Sequence, residues 1–287
     1  MRTIHIHEQC DRLQLYELGP FVMAIGYFDG VHYGHQKVIN TAVEKAKEMQ
    51  MKTAVMTFTP HPKEVITKGE TSVEQLSTFS QKEAYIKELG VDYLFVVHFN
   101  RSFASLTPKQ FVKQYIVDMY VRHVVVGFDF TYGAFGKGNV FRLAEDGENQ
   151  FTISIIHKIE LHGEKISSTF IRKLIRGGKV NITPFYLGRT YETIGCVHEI
   201  NRNVIMIKQK KNMLPPSNTY LCNVKIGRNE QLAHVYCNCS KSTLYLSLTP
   251  SFKHVKRKDL VTIEWIKNSE YTWYDNATYL EQRQVTT

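Results

Sequence analysis

Nowhere in its 287 residues does the chain hold an apolar run near the ~20 that a membrane span requires, and its opening, MRTIHIHEQC, lacks the basic start and apolar core of a secretory signal. A cytoplasmic protein without a membrane anchor is expected. Cysteine is scarce: Cys10, Cys196, Cys222, Cys237 and Cys239 are odd in number and scattered, and Cys237-x-Cys239 has no second pair to complete a zinc site. They read as reduced core thiols. No Pro-, Ser- or Gly-dense stretch and no internal repeat is present, so both halves should fold. The net charge of +9 is uneven: residues 186–287 hold 14 Lys/Arg against 8 Asp/Glu. KHVKRK (Lys253–Lys258) is the one dense basic cluster, and no nucleic-acid motif surrounds it. A solvated basic surface is the expectation, without a nucleic-acid partner.

Up to about residue 180, short apolar runs alternate with helical periodicity. Strands are expected at Phe21–Gly26, Thr53–Phe58, Tyr93–Val97, His123–Gly127 and Phe151–His157. Between them Gln36–Gln50 sets Val38, Ala42, Ala46 and Met49 on one helix face. Ser80-x-x-Glu83 and Thr107-Pro-x-Gln110 have the form of capping boxes. This alternation predicts a Rossmann-like α/β domain with a parallel sheet and right-handed crossovers. After Thr183-Pro184 the pattern changes to short β-rich runs: Val204–Ile207, Tyr220–Ile226, Ala233–Cys239, Thr243–Leu248 and Val261–Ile266. A small antiparallel β-barrel or sandwich is predicted there, giving domains 1–185 and 186–287.

In an open parallel sheet ligands bind beyond the carboxyl ends of the strands, where loops enter helices. AIGYFDGVHYGH (Ala24–His35) would occupy such a place, its glycines letting an anion approach free backbone N–H groups. The spacing Gly26, Gly30, Gly34 is neither the dinucleotide G-x-G-x-x-G nor a P-loop. His32-Tyr-Gly-His35 instead fits the H-x-G-H pattern of nucleotidyltransferases, in which prepositioned donors stabilise charge growing on an attacked α-phosphate. As residues alone, the pair reads equally as ordinary loop histidines. Asp29 could orient the loop through backbone hydrogen bonds or help position magnesium. His61, between Pro60 and Pro62, is a turn histidine or a group at the same sheet edge. Ser167, Ser168 and Thr169 precede a short helix with Arg172 one turn on, which is an ordinary N-cap or a phosphate site. Phe128-Asp129-Phe130, in FDFTYG, is β-edge packing or a surface for a planar heterocycle.

GYFDGVHYGHQ (Gly26–Gln36) resembles the first motif of the bacterial FAD synthetase module, the FMN adenylyltransferase usually fused to a riboflavin kinase. TFTPHPKEV (Thr57–Val65), GVDYLFVVHFNRSFASL (Gly90–Leu106), VVGFDFTYG (Val125–Gly133) and ISSTFIRKLI (Ile166–Ile175) are similar to further family segments, in the family's order. The resemblance implies transfer of AMP from ATP to FMN, with Mg2+ bridging the phosphates. It implies catalytic contacts from His32, His35 and Arg172. It also implies binding contacts from Gly26, Phe28, Asp29, Gly30, Gly34, His61, Asp129, Phe130, Ser167, Ser168 and Thr169. Magnesium ligands and oligomeric state are not implied.

YLGRTYETIGCV (Tyr186–Val197) and LPPSNTYLCNVKIG (Leu214–Gly227) resemble parts of the kinase β-barrel. Between them the family carries a glycine-rich stretch ending in Pro-Thr-Ala-Asn, whose Thr and Asn help bind magnesium and ATP. HEINRNVIMIKQKKNM stands there instead. The family's base-bearing Glu, after a Leu-Arg pair, has no counterpart in KDLVTIEWIKNSEYTW, where Glu264 and Glu270 lack that context. Riboflavin phosphorylation needs metal-held ATP beside a carboxylate base, so the barrel is expected to have lost the kinase. A bifunctional enzyme and a flavin-nucleotide-sensing binding protein are the alternatives.

Overall fold

The computed structural model describes residues 1–7, 12–67, 70, 73–201, 203–209 and 211–270. Two compact units result: Met1–Val73 with Phe79–Ile166, and Glu74–Thr78 with the chain from Ser167 onward. Cys10 lies outside the described residues.

In the first unit six strands, β1 (Arg2–Ile6), β2 (Phe21–Ile25), β3 (Lys52–Thr59), β4 (Tyr93–His98), β5 (Val121–Gly127) and β6 (Thr152–Ile156), form one sheet in the order β1-β4-β3-β2-β5-β6. Every pairing is parallel. β2 is buried along its whole length because both faces are covered. Phe21, Met23 and Ile25 join one apolar cluster, Val22 and Ala24 the other. The second cluster includes Val38, Ile39, Ala42, Val43 and Ala46 of helix α1 (Tyr33–Glu48), the stripe visible in the sequence. Chain order runs outward from β2 to β3 and β4 on one side and to β5 and β6 on the other. The point where winding reverses therefore lies between β2 and β5, and the loops leaving those strands flank it.

One local expectation is corrected and one strand is added. Ser80 does not cap a helix: helix α2 (Phe79–Glu88) already begins at Phe79, and the Glu83 carboxylate accepts a hydrogen bond from the Thr3 hydroxyl instead of capping. β1 was not expected; it pairs with β4 at the sheet edge. The box at Thr107 and Gln110 is formed as expected.

The second unit closes β7 (Tyr191–Asn201), β8 (Val204–Gln209), β9 (Asn218–Ile226), β10 (Asn229–Asn238), β11 (Thr243–Ser247) and β12 (Leu260–Asn268) into an antiparallel barrel, in the order β7-β8-β11-β10-β9-β12. Its interior holds Tyr191, Tyr220 and Trp265, with each polar end satisfied: Trp265 Nε1 donates to Thr193 Oγ1 at 3.1 Å, and Tyr191 donates to the Met213 carbonyl at 2.6 Å. Cys222 and Cys237 are buried there, and burial pushes both thiols up, which leaves them protonated and inert. Cys196 and Cys239 are only partly covered, so core burial holds for two of the four described cysteines. Helix α3 (Ser168–Arg176) and Glu74–Thr78 belong with the barrel: Arg172 Nε donates to the Glu74 carbonyl at 2.8 Å, and Arg176 pairs with the Glu74 carboxylate at 2.7 Å.

Candidate active site

The loop from β2 to α1 is built around an unusual backbone. Gly26 packs beneath the Phe28 ring, where a Cβ would fall 2.9 Å from ring carbons. Phe28, Gly30 and Val31 all have positive φ, at 55°, 76° and 39°. Such a value is an outlier for a β-branched residue and costs roughly 1–3 kcal/mol. The surroundings hold it: Val31 is buried, its N–H donates to the Phe28 carbonyl at 3.2 Å, and its carbonyl accepts from Gln36 Nε2 at 2.9 Å. Strain retained in this way is concentrated at working sites.

At the loop's exit His32 is the N-cap of α1, its Nδ1 accepting from the His35 N–H at 3.3 Å. The helix therefore starts at Tyr33, earlier than its apolar stripe suggests. The two imidazoles stack with centroids 3.6 Å apart and planes 18° from parallel. The edge of Phe28 meets His35 at 5.3 Å. Gly34 lies in the first helical turn, facing the His32 ring and the carbonyl of Ile166, the last residue of this unit. Asp29 is buried within the loop.

Under the loop lies a side chain the sequence did not single out. Lys82 of α2 is 5% exposed, donates to the Tyr27 carbonyl at 2.8 Å, and has its ammonium 4.1 Å from the Tyr27 ring centroid. Thr57 Oγ1 of β3 donates to the same carbonyl at 2.9 Å. Burial lowers the Lys82 pKa to about 8, and only the Asp29 charge opposes that fall. His61 is close by: it caps Pro62–Ile66 through Nδ1, and its ring meets Tyr27 at 4.3 Å. The histidine after β3 and the loop after β2 therefore share the Tyr27 side chain.

Across the switch point, the loop after β5 carries Phe128, Asp129 and Phe130. Asp129 pairs with Lys165 at 2.8 Å, and the Lys165 ammonium lies 4.5 Å from the Phe128 ring centroid. Phe130 stacks on Tyr132 at 5.7 Å. Tyr132 is fixed from below: its hydroxyl donates to Asp146 at 2.7 Å, and Arg142 grips the same carboxylate with Nε at 2.9 Å and Nη2 at 2.8 Å. Burial pushes the Asp146 carboxyl up, but those hydrogen bonds outweigh it and hold the group below the usual range. Burial and the Asp146 partner push the Tyr132 phenol far up.

In the second unit, Ser167 caps α3 by accepting from the Phe170 N–H at 3.2 Å; Ser168 and Thr169 fill the first turn. Arg172 is one turn on, bonded to Glu74 as described. Among the described residues, no three His, Cys, Asp or Glu side chains gather to hold a metal ion.

A strained, glycine-bearing loop that ends in stacked imidazoles at a helix start, beside a parallel-sheet switch point, is a setting for nucleotide phosphates. The family profile described as FAD synthetase matches residues 16–170, which span this loop, the Lys82 helix and the Phe128–Phe130 turn. The chain belongs to the FAD synthetase family. It is 39% identical over 254 residues to a bifunctional riboflavin kinase/FMN adenylyltransferase of Bacillus subtilis (strain 168), covering 85% of this chain and 79% of that protein. It is 34% identical over 201 residues to an FAD synthetase of Listeria monocytogenes serovar 1/2a (strain ATCC BAA-679 / EGD-e), covering 69% of this chain and 79% of that one. A crystal structure described as a macrolide-efflux protein from Streptococcus pneumoniae shares the fold with a TM-score of 0.81 at 27% identity, over 99% of this chain and 97% of that chain. Among the described residues no helix is long and apolar enough to cross a membrane.

FAD synthetase membership makes the chain a nucleotidyltransferase of FAD synthesis, for which ATP and FMN are fitting substrates. It also gives the supporting side chains a purpose. Gln36, Thr57, Lys82, Asp146 and Lys165 were not expected as site residues; the first three bond the β2–α1 loop, and Asp146 and Lys165 hold Tyr132 and Asp129 after β5. Gln36 and Thr57 carried a signal in the sequence, as the last residue of GYFDGVHYGHQ and the first of TFTPHPKEV.

Proposed function

We propose that the enzyme transfers AMP from ATP to FMN, giving FAD and pyrophosphate, and that its barrel carries no riboflavin kinase activity. The observation that supports this most is the β2–α1 loop, with His32 and His35 stacked at the start of α1 beside the switch point. An FMN phosphate oxygen attacks the α-phosphorus of ATP. The new bond is that oxygen to phosphorus, and the bond from the α-phosphorus to the α,β-bridging oxygen breaks, with its electrons leaving on pyrophosphate. The FMN phosphate is already an anionic nucleophile at neutral pH, so alignment and charge stabilisation supply most of the acceleration.

His32 and His35 contact the triphosphate and the transition state in this reading, with N–H groups of the Gly26–Gly34 loop beside them. Phe28 and Asp29 shape that loop, Asp29 from its buried position. Ser167, Ser168, Thr169 and Arg172 hold the departing pyrophosphate, a role supported by the family segment they sit in. Asp129 and Phe130 face the flavin or adenine ring, and His61 borders the same sheet edge. ATP enters as its magnesium complex, with the ion held largely by phosphate oxygens and water. Both substrates are cytoplasmic metabolites, and the enzyme works there.

Loss of the kinase is supported by the missing Pro-Thr-Ala-Asn segment and by the place of Asn212 in that interval: its Oδ1 accepts from the Ile194 N–H at 3.1 Å, and its Nδ2 donates to the Leu76 carbonyl at 3.3 Å. A bifunctional enzyme is the second reading, favoured by the Bacillus subtilis relative over 85% of the chain. Riboflavin with ATP decides between them: appearance of FMN establishes the kinase. For the transfer itself, the His32→Ala/His35→Ala double variant should lose at least ~100-fold in turnover, the loss expected when oriented donors are removed from a transition state. Near-normal FAD formation by that folded variant refutes the assignment.

A further inference from the structure

We infer that Lys82 is a positioning residue for ATP: from beneath the β2–α1 loop, its ammonium fixes the Tyr27–Phe28 peptide and thereby the backbone that receives the triphosphate. The inference rests on the proposed function and adds a residue that the sequence motifs do not mark.

Geometry carries it. The Tyr27 carbonyl is held by two donors from two elements, Lys82 Nζ of α2 at 2.8 Å and Thr57 Oγ1 of β3 at 2.9 Å. A peptide unit is planar and trans, so its N–H points opposite to its carbonyl. Pulling the Tyr27 carbonyl toward α2 and β3 therefore turns the Phe28 N–H to the opposite side of the chain. The next residues are those with positive φ, Phe28, Gly30 and Val31, which keep such a conformation only when their surroundings dictate it. The chain then enters His32 and α1.

Stability alone is a poor account of Lys82. An ammonium taken out of water costs several kcal/mol unless paired and fully hydrogen-bonded, and a methionine of similar length would fill the space without that cost. Lys82 nevertheless stands 5% exposed beside the loop, with Asp29 as the opposite charge acting on it. A cation placed there at a cost to folding favours an anion arriving above the loop, and ATP is the polyanion of the reaction. FMN, with a single phosphate and a ring expected at the loop after β5, should depend on it less.

The test uses the full-length protein and its Lys82→Met and Lys82→Gln variants. ATP binding is read by calorimetry, and the Michaelis constants for ATP and FMN by FAD formation. Lys82→Met should weaken ATP at least tenfold and leave the FMN constant within twofold. Lys82→Gln keeps an N–H donor for the Tyr27 carbonyl without the charge, so it should recover part of the loss and still bind ATP at least threefold more weakly than wild type. A residue needed only for folding would shift both substrates together or neither. A folded Met variant with ATP affinity within twofold of wild type overturns the inference. Should Met not fold, a Gln variant with wild-type ATP affinity does so. Calorimetry requires no turnover, so the two claims fail separately. Wild-type protein that binds ATP in a Lys82-dependent way but makes no FAD sinks the reaction and not the positioning. Normal FAD formation with ATP affinity unmoved by Lys82→Met sinks the positioning alone.

Discussion

At the residue scale, His32 caps α1 and, in the proposed reaction, contacts phosphate, and the two roles separate experimentally. Its Nδ1 accepts from the His35 N–H, so alanine removes a helix cap worth ~0.5–2 kcal/mol as well as an imidazole. Asparagine can cap without supplying the ring. His32→Asn should therefore melt within a degree or two of wild type and still lose at least ~100-fold in turnover. An Asn variant with near-wild-type turnover would show that the cap, and not the imidazole, is what the enzyme needs. Lys82 gives a second prediction, on stability. With its pKa lowered to about 8 from 10.5, the native state loses the proton at lower pH than the unfolded chain does. The destabilisation is fully present below pH 8 and disappears as pH rises toward 10.5. It amounts to about 3 kcal/mol, from 1.36 kcal/mol per pKa unit. Urea melts should accordingly show Lys82→Met losing about 3 kcal/mol relative to wild type between pH 7 and 10.5. A pH-independent difference would mean the lysine is not buried as described.

At the scale of elements, the loop after β5 depends on the Tyr132–Asp146–Arg142 network. Asp146→Asn takes a charge from both of its partners and should cost about 1.5–3 kcal/mol, with a raised Michaelis constant for FMN as the loop loosens. Because the Asp146 pKa is held below its ordinary 3.8, its contribution is present above that pH and lost as pH falls through the lower folded value. The melting difference between wild type and Asn should thus shrink in acid; a constant difference from pH 7 to pH 3 would contradict the pairing. These networks also show what a sequence conveys. β2 to β5 were legible because a strand buried on both faces is an unbroken apolar run, as in FVMAI. β7 was visible only through family likeness: its alternation, with Tyr191, Thr193 and Val197 inward, breaks at a bulge between Val197 and Glu199 that leaves His198 and Glu199 both exposed. The H-x-G-H spacing of His32 and His35 was visible because it is local, although the residues alone left its role open. Lys82 was not: a lysine on a helix reads as solvent-exposed, and its partner Tyr27 lies 55 positions away in the chain.

For the whole molecule, fold class and family were both readable from the chain, one from its change of rhythm near residue 183 and the other from five ordered segments. The association of Glu74–Thr78 with the barrel unit was not, because nothing in that pentapeptide distinguishes it from a loop; its bonds to Arg172, Arg176, Asn212 and Met213 reveal where it belongs. The proposed loss of the kinase raises the larger question of what the barrel does in its place. It predicts an enzyme that must be given FMN by another phosphotransferase. The most direct measurement supplies purified protein with ATP and magnesium and offers FMN or riboflavin separately, resolving the flavins by chromatography. The account predicts FAD and pyrophosphate from FMN, and no FMN from riboflavin. Absence of FAD from FMN under conditions where the protein is folded would contradict it.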